Sequence, residues 1–417
     1  MTTPTPGVVI VGGGQAGHQL AVSLRTEGYG RPVTIVEAEQ GLPYQRPPLS
    51  KDFLTAGEEI LDIAFVAPGQ YAEQEIELLA GIRVEMIDRD HREVVLSSGR
   101  HLPYEKLVLA TGARARRPTV GGSTLDGVRT LRSLSDAQRL RAQLHRAADV
   151  VVVGGGFIGL EFASSAAQLG TRVTVLERGP RILRRSVSAE TAGFLARAHV
   201  VHGVTIRTRA VSSEFLGRNG TVTGVRLHDG TILSADLVVV GIGIEPNTEL
   251  AAAAGLLVDK GIVVDEYLRT SDPSIYSIGD VASFKSEFAP DRGRVESVQN
   301  AVDHARCLAQ TLTGNASRYH DLPWFWSQQA GHRLQIAGIR SATDAVYVRR
   351  SHDQMKFSVF CYRGDRLGAV ESVDQPKVHM QARRLLGAGI SIPADRVSDP
   401  DLDLAAEIAA HESLSAR

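Results

Sequence analysis

Cysteine is almost missing. The 417-residue chain holds two, Cys307 and Cys361, far apart in sequence. That excludes a disulfide framework, a metal site built on spaced thiols and a local Cys-x-x-Cys redox pair. Charge of one sign is missing too: 46 basic residues stand against 47 acidic ones, a net of −1. Global electrostatics therefore point to neither nucleic acid nor an anionic membrane as partner. No apolar run approaches the ~18 residues of a membrane span. Met1–Gly7 has neither a basic region nor an apolar stretch of signal length. Val8–Val11 runs straight into Gly12, so it is read as part of the fold and not as a cleaved leader, and the expected compartment is the cytoplasm. No low-complexity segment interrupts the chain.

What remains is ordinary in bulk, with 43% hydrophobic and 22% charged residues. At roughly 100–200 residues per domain the length suggests two to four domains. One pattern occurs twice. Val8-Val9-Ile10-Val11 leads into Gly12-Gly13-Gly14-Gln15-Ala16-Gly17, a helical stretch to about Glu27, and Val33-Thr34-Ile35-Val36-Glu37. Val150-Val151-Val152-Val153 leads into Gly154-Gly155-Gly156-Phe157-Ile158-Gly159, a helical stretch to about Leu169, and Arg172–Glu177. Each reads strand, Gly turn, helix, strand, acid. In such a unit the first Gly permits the turn, the second lets backbone approach a pyrophosphate, and the third lets helix and strand pack. The helix N-terminus offers free N–H groups to the phosphates. An acid about 20 residues on accepts from a ribose hydroxyl, the position of Glu37 and Glu177. Two complete copies imply two dinucleotides.

Three further apolar strands end in Gly: Leu107–Gly112, containing Ala110-Thr111-Gly112; Leu237–Gly243, followed by Pro246; and Ile275–Gly279, followed by Asp280. The first site is expected to take FAD. Asp280, at a strand's C-terminal end, could accept from ribityl hydroxyls, or N-cap the next helix. The second site is expected to take a nicotinamide. Glu177 favours NADH over NADPH, although Arg178 beside it could contact a phosphate. With no cysteine pair, reduced flavin must pass electrons to something external. Tyr44-Gln45-Arg46-Pro47-Pro48-Leu49-Ser50-Lys51 is stiffened by its prolines. A fixed Lys51 ammonium near a flavin would stabilise its reduced anion, unless Lys51 is simply a surface residue. After about Asp321, Trp324-Phe325-Trp326 and alternating strands such as Phe357–Phe360 suggest an α+β module, and the tail after Pro400 reads as one amphipathic helix fraying at Arg417.

The motifs Tyr44–Lys51, Ala110–Ala113, Gly154–Glu161, Gly241–Gly243 with Pro246-Asn247, Ile278-Gly279-Asp280, Glu296-Ser297-Val298 and Pro323–Ser327 resemble bacterial NADH-dependent ferredoxin reductases. The type is that of putidaredoxin reductase and rhodocoxin reductase. The resemblance covers nearly the whole chain. It implies a glutathione-reductase-like α/β fold: an FAD-binding domain over 1–116 and 245–320, an NADH-binding domain over 117–244, and a C-terminal α+β domain over 321–417. It implies FAD contacts at Gly12, Gly14, Ala16, Gly17, Glu37, Lys51, Val84, Ala110, Thr111, Gly112, Arg132, Asp280, Val298 and Trp326. Nicotinamide contacts would be Gly154, Gly156, Phe157, Ile158, Gly159, Glu161, Glu177, Arg185 and Gly243. Lys51 and Glu161 would pair beside the flavin as the catalytic residues, with no metal. The chain departs from the family pattern at Gln328, Gln299 and Asp374.

The implied activity is NADH:ferredoxin oxidoreduction, with a [2Fe-2S] ferredoxin serving a monooxygenase or Rieske oxygenase, and a monomeric enzyme preferred. Arg294, Arg340, Arg349, Arg350, Lys356, Lys377, Arg383 and Arg384 are candidates to steer an acidic ferredoxin. The alternatives are an NADH oxidase, quinone reductase or monodehydroascorbate reductase on the same scaffold, and a redox-sensing flavoprotein interaction module.

Overall fold

The computed structural model describes residues 6–57, 59–351 and 356–415. Residues before Pro6, and the predicted fraying at Arg417, lie outside them. The chain divides into two units. The first lies within Met1–Gln45, Glu59–Arg114 and Glu245–Pro323, the second within Arg46–Glu58, Ala115–Ile244 and Trp324–Arg417.

In the first unit the apolar run at the N-terminus is the strand Gly7–Val11, buried along its whole length. It pairs in parallel with Val33–Glu37 on one side and His101–Leu109 on the other. Ile76–Ala80 and Ile275–Ser277 extend the parallel sheet, and an antiparallel pair, Val84–Asp88 and Glu93–Leu96, completes it. Parallel strands covered on both faces read as unbroken apolar runs, which is why they were visible in the sequence. The helices Gln15–Thr26 and Val298–Leu312 cover one face, with Leu20, Leu24, Ala305 and Leu308 in the core.

The second unit repeats the design. Val204–Thr208, Arg172–Glu177, Asp149–Val153, Leu237–Val240 and Val128–Thr130 form a parallel sheet in that order. The short helix Asp52–Thr55 belongs to this unit, with Arg141 over the ring of Phe53. Its C-terminal part is a five-stranded antiparallel sheet followed by the helices Pro376–Gly387 and Leu404–Ser415. The last helix forms where the tail predicted one, but among its described side chains it buries a narrow stripe, Leu404 and Ile408.

Phe357–Arg363 departs from its expected half-buried alternation: six of its seven residues are buried. Both faces of this sheet are covered. On one, Phe194 from the helix Ala189–Val201 meets Phe357 at 5.2 Å between centroids; on the other, His379 packs against Trp324. Ser358 donates to Ser372 on the neighbouring strand, so its hydroxyl is not stranded in the interior.

Glu371 ties the sheet to that helix. Wholly buried, it accepts from both the backbone N–H and the hydroxyl of Ser188, at 2.7 Å each. Ser188 in turn caps the helix through Thr191 N–H. Glu371→Ala leaves the buried Ser188 N–H unpaired, weakens the hydroxyl's bonding and opens a cavity, so it should cost about 3 kcal/mol. A urea-denaturation midpoint equal to wild type would refute this.

Candidate functional site

The two glycine turns share one geometry, and their three glycines have separate reasons to be glycine. Gly12 and Gly154 adopt φ of 106° and 115°, which side chains rarely tolerate, and a Cβ on either would sit 2.3 Å from the carbonyl oxygen of Ala110 or Gly241. Gly17 and Gly159 are demanded by packing, since a Cβ there would fall 1.9 Å from Gly12 O or 2.3 Å from Gly154 O. Gly14 and Gly156 differ. Their backbones are extended, with φ of −64° and −86°. A Cβ on Gly14 would meet nothing within 4 Å, and on Gly156 only Gly241 O at 3.9 Å. Neither strain nor crowding within the chain accounts for these two. Open backbone beside the uncapped N-termini of Gln15–Thr26 and Phe157–Gln168 is what a dinucleotide pyrophosphate requires. The residues present fit FAD and NADH.

The two acids match as closely. Glu37 accepts from Gly13 N–H at 2.5 Å and from Glu39 N–H at 2.8 Å. Glu177 accepts from Gly155 N–H at 3.0 Å and from Gly179 N–H at 2.6 Å. Each carboxylate is locked to its own turn, with lone pairs left for ribose hydroxyls and a negative charge set against a 2′-phosphate.

Several others of the first unit's set lie at strand ends. Ala110 is buried, and Gly112 has φ of 61°. Thr111 exchanges two hydrogen bonds with Asn247, its hydroxyl donating to the Asn247 carbonyl and the Asn247 amide to its own, both at 2.8 Å. Asp280 follows Gly279, whose N–H donates to Nδ1 of His304 at 3.1 Å. His304 is wholly enclosed, and burial pushes its pKa down to about 3, so it stays neutral and keeps that lone pair. It had no signal in the sequence. Val298 opens the helix Val298–Leu312, capped by Ser297. Val84 starts a strand at the far edge of the sheet from Ile76–Ala80.

The second unit holds the charged centre. Pro47–Ser50 forms one 3-10 turn, and Lys51 leaves it to reach Glu161, one turn into the helix Phe157–Gln168. Lys51 Nζ lies 2.6 Å from Glu161 Oε2, with the side chains 20% and 4% exposed. Two hydroxyls complete the carboxylate's shell: Ser50 donates to Oε2 and Ser327 to Oε1, each at 2.6 Å. The family resemblance implied the ion pair, and sequence reasoning missed both serines, although both lie inside motifs it singled out. Phe157 meets Phe325 with ring centroids 4.6 Å apart and planes tilted by 49°, and Trp326 lies two residues along the same strand from Trp324. Ile158 and Arg185 are exposed, Gly243 adopts φ of 112°, and the Arg132 carbonyl accepts from Arg46 at 2.7 Å.

That strand, Trp324–Gln329, turns into His332–Gly338 through Ala330 and Gly331 alone. Both have positive φ, 48° and 74°, the two-residue turn whose twist suits a hairpin. Ala330 is a costly residue there. It is held by burial and by its N–H donating to Ser164 on the Phe157–Gln168 helix at 2.9 Å.

Of the basic residues expected to steer a partner, several are committed elsewhere. Arg294 binds the Asp280 carbonyl and Glu296, Arg349 the carbonyls of Pro400 and Leu402, and Arg384 both oxygens of Glu412. Arg383 lies over Trp324 and Arg350 over Phe357. Arg340 is half-buried, while Lys356 and Lys377 are exposed. Gln328 is exposed, and Gln299 donates to Asp303 at 2.6 Å. Asp374 takes φ of 53°, where Asn is at ease, and is clamped by His332 and Arg333 N–H. No group of side chains suited to a metal, and no helix long and apolar enough to cross a membrane, occurs among the described residues.

The family described as pyridine nucleotide-disulphide oxidoreductase matches residues 6–305, and the reductase C-terminal family matches residues 324–408. Rhodocoxin reductase of Rhodococcus erythropolis is 44% identical over 97% of this chain and 95% of its own. Putidaredoxin reductase of Pseudomonas putida is 40% identical over 97% of both. Among solved structures, the ferredoxin reductase for the CYP199A2 system of Rhodopseudomonas palustris superposes with a TM-score of 0.94 at 42% identity, covering 97% of this chain and 100% of that one. The reductase in a covalent putidaredoxin reductase–putidaredoxin complex does so with 0.94 at 39% identity, covering 99% and 100%.

Proposed function

Because the chain belongs to the pyridine nucleotide-disulphide oxidoreductase family, we propose that it is an FAD-dependent NADH:ferredoxin oxidoreductase, delivering electrons to a [2Fe-2S] ferredoxin that serves an oxygenase. The observation that carries this reading is the pair of open cradles at Gly14 and Gly156, each with its locked acid. The similarity to reductases of named redox proteins, along nearly the whole chain, supports the choice of acceptor.

We assign FAD to the Gly12–Gly17 turn, with Ala16, Glu37, Ala110, Thr111, Gly112 and Asp280. NADH goes to the Gly154–Gly159 turn, with Glu177 accepting from its ribose. Held there, FAD would supply the chemistry that couples a two-electron hydride donor to one-electron acceptors. The chain's part is to hold and to polarise. Glu161, one turn in from the NADH cradle, fixes the Lys51 ammonium, and that cation stabilises negative charge arising beside it. No side chain need act as general acid or base. Val84, Arg132, Val298 and Trp326 are assigned to flavin contacts, and Phe157, Ile158, Arg185 and Gly243 to the nicotinamide nucleotide. The family's disulphide route does not apply: Cys307 and Cys361 are buried, free and lodged one in each unit. Free thiols suit a reducing cytoplasm, and a monomer is the preferred form.

The test is spectroscopic. Purified protein should show flavin absorbance, and anaerobic NADH should bleach it faster than NADPH does. A reduced [2Fe-2S] ferredoxin should then appear on mixing. Absence of flavin ends the proposal, whereas fast oxygen or quinone turnover without ferredoxin would move the function to an oxidase or quinone reductase. Slow turnover with every acceptor, with NADH-driven dimerisation, would make it a sensing module.

A further inference from the structure

The Lys51–Glu161 pair is the exposed end of a longer buried chain. Ser327 donates its single proton to Glu161 Oε1 at 2.6 Å. It must therefore accept from its other neighbour, and Gln329 Nε2 lies 2.9 Å away. That fixes the amide, leaving Gln329 Oε1 to face His199 Nε2 at 2.9 Å. An amide oxygen only accepts, so His199 carries its proton on Nε2. Every donor in the chain points the same way, from His199 through Gln329 and Ser327 to the carboxylate. This is the arrangement that an ionised Glu161 selects.

We propose that Ser327, Gln329 and His199 are positioning residues that hold the Glu161 carboxylate, and through it the Lys51 ammonium, in register for hydride transfer from NADH. The inference rests on the function proposed above and extends its charged centre beyond any single motif: the chain joins residues 51, 161, 199, 327 and 329, all within the second unit.

Three observations separate this from a core that happens to contain polar groups. The members are buried, with Ser327 and His199 at 0% exposure. Such groups are costly unless they are satisfied. Next, His199 Nδ1 has no partner among the described residues. Burial lowers the His199 pKa, and a second proton would create an N–H with nothing to receive it. The chain therefore ends in a fixed neutral donor that does not reverse. Finally, the hairpin that aims Ser327 and Gln329 keeps Ala330 in a strained backbone conformation, pinned by Ser164. From the other side, Ser165 holds the Ser50 carbonyl at 2.8 Å. The helix that carries Glu161 thus anchors both of the segments whose hydroxyls grip it.

The experiment uses the flavin-loaded full chain and anaerobic stopped-flow with NADH. Ser327→Ala and Gln329→Met should lower the limiting rate of flavin reduction about tenfold, the scale expected for a reacting pair moved by a fraction of an ångström. The NADH Kd should stay within about twofold, since Ser327 and Gln329 lie outside the Gly154–Gly159 cradle. His199→Phe should behave like Gln329→Met, whereas His199→Gln, which keeps a donor, should recover most of the rate. A readout independent of turnover is the imidazole 15N spectrum of His199, assigned with His199→Gln: it should show the neutral Nε2–H tautomer in wild type, and lose that preference in Gln329→Met. Wild-type limiting rates in folded Ser327→Ala and Gln329→Met, or an Nδ1–H or doubly protonated His199, would overturn the inference. If wild-type flavin is not reduced by NADH, the proposed function fails instead, and the tautomer spectrum still decides the chain.

Discussion

Replacement of Lys51 by alanine is expected to cut the limiting rate at which NADH reduces the bound flavin by about a hundredfold, the usual scale for losing one preorganised charge stabiliser. The reason is local. Glu161 is 4% exposed and has three donors among the described residues, of which only Lys51 carries charge. Without it the carboxylate keeps two hydroxyls and no countercharge, and the cation that should face developing negative charge is gone. Truncating one partner of a fully buried ion pair destabilises by about 3–5 kcal/mol. Lys51 is 20% exposed, so water takes up part of that deficit, and the protein should remain folded with its flavin. Stopped-flow at saturating NADH measures the effect, and a wild-type rate would clear Lys51 of the role.

Valine at Gly14 or Gly156 should separate the two nucleotides. Both backbones are extended and both Cβ positions are open, so the unliganded fold should tolerate the side chain. What it should not tolerate is a pyrophosphate in the same space. Gly14→Val is expected to purify folded and colourless. Gly156→Val is expected to purify yellow, with its NADH Kd raised by at least about a hundredfold, equivalent to about 3 kcal/mol. Gly12→Val is the control, because there the backbone and the 2.3 Å approach to Ala110 O both forbid a side chain, and the protein should fail to fold. A yellow Gly14→Val that binds flavin as wild type does would remove FAD from the first turn.

These results bear on what the sequence can carry. The nucleotide cradles were legible because each is contiguous: strand, turn, helix and acid fall within one short stretch, and buried parallel strands such as Val8–Val11 and Val150–Val153 announce themselves as apolar runs. The Lys51–Glu161 pair was reached only through family resemblance, since nothing local in the residues around Lys51 names a partner at Glu161. Ser50 and Ser327 lay inside motifs that did not disclose their role, and His199 had no signal at all. Hydroxyls and single histidines make no period, and they acquire meaning only when distant segments meet. Arg349 shows the reverse case. Its charge suggested a docking surface, but its guanidinium satisfies two backbone carbonyls near the C-terminus. Phe357–Arg363 failed for a third reason: a strand covered on both faces has no polar side, and Ser358 looked like one because its partner, Ser372, lies on another strand.

The two-residue turn at Ala330 and Gly331 acts as a ruler. It sets Gln329 opposite His332 and Ser327 opposite Leu334. Side chains on a strand alternate between faces, so one residue added to or removed from that turn would exchange the inward and outward sets. Exposed Gln328 would then take the place from which Ser327 serves Glu161. For anyone grafting this hairpin between reductases, loop length is therefore the quantity to preserve. The identity of the tip residue is secondary, provided that it tolerates a left-handed backbone and fits beneath Ser164.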